Sequence, residues 1–132
     1  MHTAIDINDG ALEMARATYP TVDFQHVGTE ALPFPDETFE LVVTWTVLQH
    51  IRPERIADSC AEIRRVLSPG ATVLLCEETK DPDESSGHTW HRRVEEYERL
   101  FAPLQLVDHG LIEEISAVPG IDSPGEVMVF RS

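Results

Sequence analysis

Reactive side chains gather in this chain where apolar runs stop. Asp6 closes "HTAID", and a carboxylate so placed can accept two hydroxyl hydrogen bonds from a ribose. Hydrogen bonds to a charged group contribute roughly 1.5–3 kcal/mol each. The same carboxylate can equally begin a turn or cap the helix that follows. His50 closes "VVTWTVLQH". Histidine changes charge near neutrality and so suits proton transfer; it also serves as the polar tip of a short helix. Glu77 and Glu78 close "ATVLLCEE". One of them can face a ligand, although two solvated carboxylates are the simpler expectation. His88 and His91 stand three apart in "GHTWH" and can share a helical face. A metal centre needs more ligands than this stretch supplies, so no metal is expected. Asp81, Asp83 and Glu84 read as a solvated loop, and "ESSGHTWH" is a candidate substrate lid.

The elements that must hold these groups follow from the apolar pattern. The 132 residues suit one domain over 1–132. Apolar residues make up 42%, enough for a packed core. A net charge of −14 repels phosphates, which argues against nucleic acid or an anionic membrane as a main partner. No apolar run approaches the ~20 residues of a membrane span. The start lacks the basic and apolar regions of a signal peptide, so a cytoplasmic protein is expected. Cys60 and Cys76 lie in apolar patterns and read as core residues in a reducing compartment.

"HTAIDIN" reads as a strand. "DGALEMARATYP" reads as a helix with Ala11, Leu12, Ala15 and Tyr19 on one face, Asn8 or Asp9 as N-cap and Pro20 as stop. "TVDFQHV" is a second strand. "GTEALPFPDET" is a loop stiffened by Pro33 and Pro35. "FELVVTWTVL" has the continuous apolar character of a strand buried on both faces of a parallel sheet. A helix starts at Pro53, carries Ile56, Cys60, Ile63 and Leu67 at helical spacing, and stops at Ser68–Gly70. "ATVLLCEE" is another buried strand. Trp90, Val94, Tyr97 and Phe101 mark a further amphipathic helix, with Trp90 and Tyr97 in core or interface. "LQLVDHGLI" and "GEVMVFRS" are two last strands joined through "AVPGIDSPG" without a helix, and so form an antiparallel edge pair. The class is α/β with a mainly parallel sheet. Ligands of such sheets bind outside the carboxyl ends of the strands. Those ends are Asp6, Gly28–Glu30, Thr44–Thr46 and Glu77–Glu78.

"AIDINDGALEMARA", "VGTEALPFPDETFELVVTWTVLQHI" and "AEIRRVLSPGATVLL" together resemble the class I S-adenosylmethionine-dependent methyltransferases, in particular the small-molecule group with an "EALPFPD" signature. The resemblance covers nearly the whole chain in order, including "VEEYERLFAPLQLVDHG" near the end. It implies a Rossmann-like methyltransferase sheet, S-adenosyl-L-methionine as cofactor and a small-molecule acceptor. It implies that Asp6 holds the cofactor ribose and that Ile7 lies against the adenine. Thr29 and Glu30 would border the adenine, with the stiff proline loop shaping that side. Thr44 and Trp45 would pass the methionine part, and Gln49 and His50 would face the acceptor. Alignment of acceptor and methyl carbon supplies most of such catalysis, roughly 7–11 kcal/mol. An oxygen acceptor also needs a base, and His50 is the first candidate.

The chain departs from that family at three places. Gly28 stands about where an aspartate often binds the adenine amino group, and Phe39–Glu40 replaces "FD". The family's first strand and Gly-rich turn are expected one βα unit before Asp6, yet five residues precede it. A truncated sheet with its first strand and helix missing is therefore expected. The lost strand is central in the family, and its removal leaves a gap of ~9–10 Å. The neighbours close up, a partner chain fills the gap, or the chain is part of a longer one. Oligomerisation through the exposed sheet face is one remedy. Beside an active transferase stands the alternative of a non-catalytic remnant or subunit completed by a partner. A receiver-type module is disfavoured, because Lys80 is the sole lysine and lies in a loop.

Overall fold

Thr3–Asp6 (β1) and Asp23–His26 (β2) pair in parallel, from Thr3 opposite Asp23 to Asp6 opposite His26. Parallel neighbours need a crossover, and Asp9–Thr18 (α1) provides it. Asn8 is its N-cap, with Oδ1 accepting the Ala11 N–H at 3.1 Å. Leu12 is buried and Tyr19 is exposed, so the apolar face is narrower than its spacing suggests. The computed structural model describes residues 2–28, 31–111 and 125–132. The chain divides into two compact units, Met1–Pro33 and Phe34–Ser132.

The second unit contains Phe39–Trp45 (β3), Pro53–Val66 (α2), Leu67–Glu78 (β4), Val94–Phe101 (α3), Gln105–Leu111 (β5) and Gly125–Arg131 (β6). Its sheet has the order β3-β4-β6-β5. β3 and β4 are parallel, while β6 runs antiparallel to both β4 and β5. The antiparallel pair at the edge is as the sequence indicates. Two boundaries differ from expectation. Ser68–Gly70 lies inside β4, where Gly70 takes φ +78. The third helix begins at Val94, leaving Trp90 ahead of it.

Register assigns the faces. Val42 and Thr44 stand opposite Val73 and Leu75, which stand opposite Phe130 and Met128. On this face Val73, Leu75, Met128 and Phe130 are fully buried. α3 covers it through Phe101, whose ring centroid is 5.3 Å from that of Phe130. α2 packs beside α3 and buries Ile56, Cys60 and Ile63. The opposite face carries Leu41, Val43 and Trp45, each more than half exposed. The expectation that β3 is buried on both faces is thus corrected. Both α-helices of this unit serve one face, so within the unit they cover the apolar run on that side. Cys60 and Cys76 are buried free thiols, and burial pushes them up to about 12 and about 11 respectively. No helix among the described residues is long and apolar enough to cross a membrane.

Candidate functional site

The two strands of the first unit end side by side. The Val27 N–H donates to the Asp6 carbonyl at 3.0 Å, so the chain leaves β2 toward Gly28 beside the Asp6 carboxylate. Asp6 is exposed. Its Oδ1 accepts the Asn8 N–H at 2.8 Å, and among the described residues nothing binds Oδ2. The turn-setting reading of Asp6 is thus seen directly in its Oδ1. Ile7 is 63% exposed, with its carbonyl 3.0 Å from His26 Nε2. A Cβ placed on Gly28 meets nothing within 4 Å. Thr29 and Glu30 lie outside the described residues.

In the second unit β3 and β4 also end together, with Trp45 opposite Cys76. Thr46 takes φ +51 and bends the chain into the 3-10 turn Leu48–His50. Trp45 stays 57% exposed. Thr44 is buried, and its hydroxyl donates to Glu77 Oε1 at 2.8 Å. Gln49 is turned inward, its Oε1 accepting the Glu78 N–H at 2.8 Å, so this side chain does not face an acceptor. His50 is exposed, and its Nδ1 lies 3.0 Å from the His88 carbonyl. A carbonyl can only accept, so Nδ1 carries the proton and Nε2 keeps a lone pair in the neutral ring.

Two expectations are corrected here. Glu77 is fully buried rather than solvated. Burial pushes its carboxyl above the usual range, while donors from Gln49, Thr44, Leu48 and Val47 pull it back. Glu78 is mostly buried too, with Oε2 at 2.8 Å from His91 Nε2 and 3.9 Å from Lys80 Nζ. His88 and His91 share no helical face, for they precede α3 and take different partners. The end of the proline loop is held at the second unit's sheet. Arg65 Nη1 donates to the Phe34 carbonyl and to Asp36 Oδ1, both at 2.8 Å, and the Phe34 ring stands edge-on to Phe39. That is the amino end of β3, about 17 Å along the strand from Thr44. Phe34–Asp36 therefore anchors the strand's start.

Arg92 is the residue that sequence reasoning missed. It is 2% exposed and donates to the Leu48 carbonyl at 2.8 Å and the Ile51 carbonyl at 2.6 Å. Its context, "WHRRVEEYERLF", has the look of a solvated helix start. The one available signal is the neighbouring Trp90, whose N–H donates to the Gln49 carbonyl at 2.7 Å.

Comparison with known proteins places this arrangement. A family model described as a methyltransferase domain matches residues 1–70. A "probable S-adenosylmethionine-dependent methyltransferase" of Mycolicibacterium smegmatis is 34% identical over 71 residues, 54% of this chain and 27% of its own. The demethylmenaquinone methyltransferase of Clavibacter sepedonicus is 32% identical over 83 residues, 60% of this chain and 33% of its own. The chain thus spans a third or less of these two relatives. A crystal structure of a SAM-dependent methyltransferase from Methanosarcina mazei has the same fold, with a TM-score of 0.78 at 18% identity, covering 98% of this chain and 81% of that one. By its family match and its α/β strand order, the chain belongs to the methyltransferase domain family, of the class I S-adenosylmethionine-dependent kind.

Proposed function

We propose that this chain is the cofactor-binding part of a methyltransferase that uses S-adenosyl-L-methionine and acts on a small molecule. The observation that carries the reading is the exposed Asp6 carboxylate at the carboxyl end of β1, whose Oδ2 has no partner among the described residues. A carboxylate there fits the two hydroxyls of a ribose, and the exposed Ile7 beside it fits a flat apolar ring. When bound, the cofactor supplies a methyl group on a sulfonium sulfur that leaves readily. The chain's own task is to hold and align. In the first unit Asp6, Ile7, Gly28, Thr29 and Glu30 take the nucleoside part. In the second unit Thr44 and Trp45 take the methionine part through backbone and indole. His50 Nε2 accepts the proton that the acceptor gives up. The Clavibacter relative is named for demethylmenaquinone, which supports a ring compound as the acceptor.

Calorimetric titration with the cofactor tests this reading. Binding by the wild-type chain should be weakened at least tenfold by Asp6→Ala, about 1.4 kcal/mol. Equal affinities for the two proteins would remove Asp6 from the site. A second reading, a subunit completed by a partner chain, has its own support. β3 is an outer strand of its sheet, and its neighbouring apolar face is open at Leu41, Val43 and Trp45. Binding that appears only on adding a partner strand, or a second copy, would favour it.

A further inference from the structure

The turn that carries His50 is gripped from both sides by buried charged side chains. On its N–H side stands Glu77, fully buried on the core face of β4. Its Oε1 accepts the Thr44 hydroxyl at 2.8 Å and the Val47 N–H at 3.2 Å, and its Oε2 accepts the Gln49 N–H at 3.1 Å. On the carbonyl side stands Arg92, which takes the oxygens of Leu48 and Ile51. The peptide dipoles of the turn therefore point their positive ends at an anion and their negative ends at a cation. Backbone bonds add to the grip at both ends: Thr46 N–H to the Cys76 carbonyl at 2.7 Å, and Trp90 N–H to the Gln49 carbonyl at 2.7 Å.

Burying a carboxylate is costly, and apolar packing alone would hold these elements together. What an apolar residue at 77 could not do is accept three donors that converge from Thr44, Val47 and Gln49. Thr46 also holds φ +51, a region that residues with a Cβ seldom adopt and that persists only where the surroundings enforce it. The carboxylate is thus matched to one bend of the chain, and that bend lies between Trp45 and His50.

We propose that Glu77 is a positioning residue for the transferase: by gathering the donors of Thr44, Val47 and Gln49, it fixes the bend 46–51 and so sets the place and tautomer of His50. The inference rests on the transferase reading for its functional meaning, but its physical content is measurable without cofactor. The test compares the wild-type chain with Glu77→Gln, which keeps the shape and loses one acceptor. Amide exchange should accelerate at least tenfold at Val47 and Gln49, while ladder amides such as Leu74 and Val129 keep their protection. The imidazole nitrogen spectrum of His50 should lose its single Nδ1–H form in the variant. A uniformly acting structural role would leave that tautomer signature intact. Unchanged exchange at Val47 and Gln49, or an unchanged His50 spectrum, overturns the proposal. Should Glu77→Gln fail to fold, Thr44→Val removes one of the three donors. It should accelerate exchange at Val47 in a folded protein, and unchanged protection there is equally fatal. If the wild type binds no cofactor, the transferase reading fails, and the exchange and imidazole data still decide whether Glu77 governs the bend.

Discussion

Replacing Arg92 with Met should cost the fold about 1.5–3 kcal/mol, and the figure follows from its surroundings. The guanidinium is 2% exposed and satisfies the carbonyls of Leu48 and Ile51. Met keeps much of the packing stem but donates nothing. The Ile51 carbonyl would be left dry, at about 1–3 kcal/mol, and the Leu48 carbonyl, which keeps the Ile51 N–H at 3.0 Å, would lose a second bond worth about 0.5–1.5 kcal/mol. Against this, removing a buried charge returns part of its desolvation cost, which pulls the sum toward the lower half of that range. Urea unfolding followed by far-UV circular dichroism measures it, with an unchanged m-value as the check that the unfolded state is comparable. A loss of this size is a large share of the 5–15 kcal/mol that typical domains hold. The argument also predicts coupling. Arg92 and Glu77 grip opposite sides of one turn, so Arg92→Met and Glu77→Gln should not be additive. Their cycle should show an interaction of at least about 1 kcal/mol. A loss below about 1 kcal/mol, or additivity within about 0.5 kcal/mol, would refute the idea that the turn is held as a unit.

Gly28→Asp should fold normally, because a Cβ there meets nothing within 4 Å, and should tighten cofactor binding several-fold by offering the adenine amino group a carboxylate. Calorimetry on both proteins checks it, and weaker binding in the variant would count against an adenine near residue 28. His109 Nδ1 lies 2.7 Å from Glu126 Oε1, and this hydrogen bond raises its pKa above the ordinary histidine value. Its contribution to stability is therefore complete at pH below about 6.5 and fades as pH rises through the raised folded value. Thermal melts of wild type and His109→Gln should differ most at pH 5.5 and converge by pH 9; parallel curves would show that the pair is silent.

The elements were legible in the sequence wherever spacing and punctuation agreed. Pro53 at the helix start and Ile56, Cys60 and Ile63 along its face gave α2 within a residue or two. Uniformly apolar "VLLC" gave β4, and the lack of a helical pattern in the sequence between the last strands pointed to their antiparallel pairing. Burial of β3 was misjudged for a physical reason. Apolar composition states what a strand can bury, while coverage depends on which helices arrive and on which face. The anchoring of the proline loop is a related case. The loop's stiffness is local chemistry, but its position at the amino end of β3 is set by Arg65, almost thirty residues further on.

The site shows the same division between what is local and what is assembled. Asp6 could be flagged because a strand end, a carboxylate and a helix start are contiguous in the chain. Glu77 is also a carboxylate at a strand end, and by that rule it looked solvated. What separates the two is the company each keeps. Asp6 meets Asn8, two residues away, and among the described residues its second oxygen has no partner. Glu77 meets donors from residues 44 to 49, brought together by the parallel pairing of β3 with β4. Parallel neighbours end at the same edge of a sheet, so the loop leaving one strand naturally passes over the last residue of the other. A carboxylate on the core-facing side of that last residue is then placed to collect the loop's N–H groups, whereas one residue later, at Glu78, the alternation of the strand turns the side chain toward His91 and Lys80 instead. The parity of one strand position thus separates a side chain that orders the turn beneath His50 from one that pairs at the margin of the sheet.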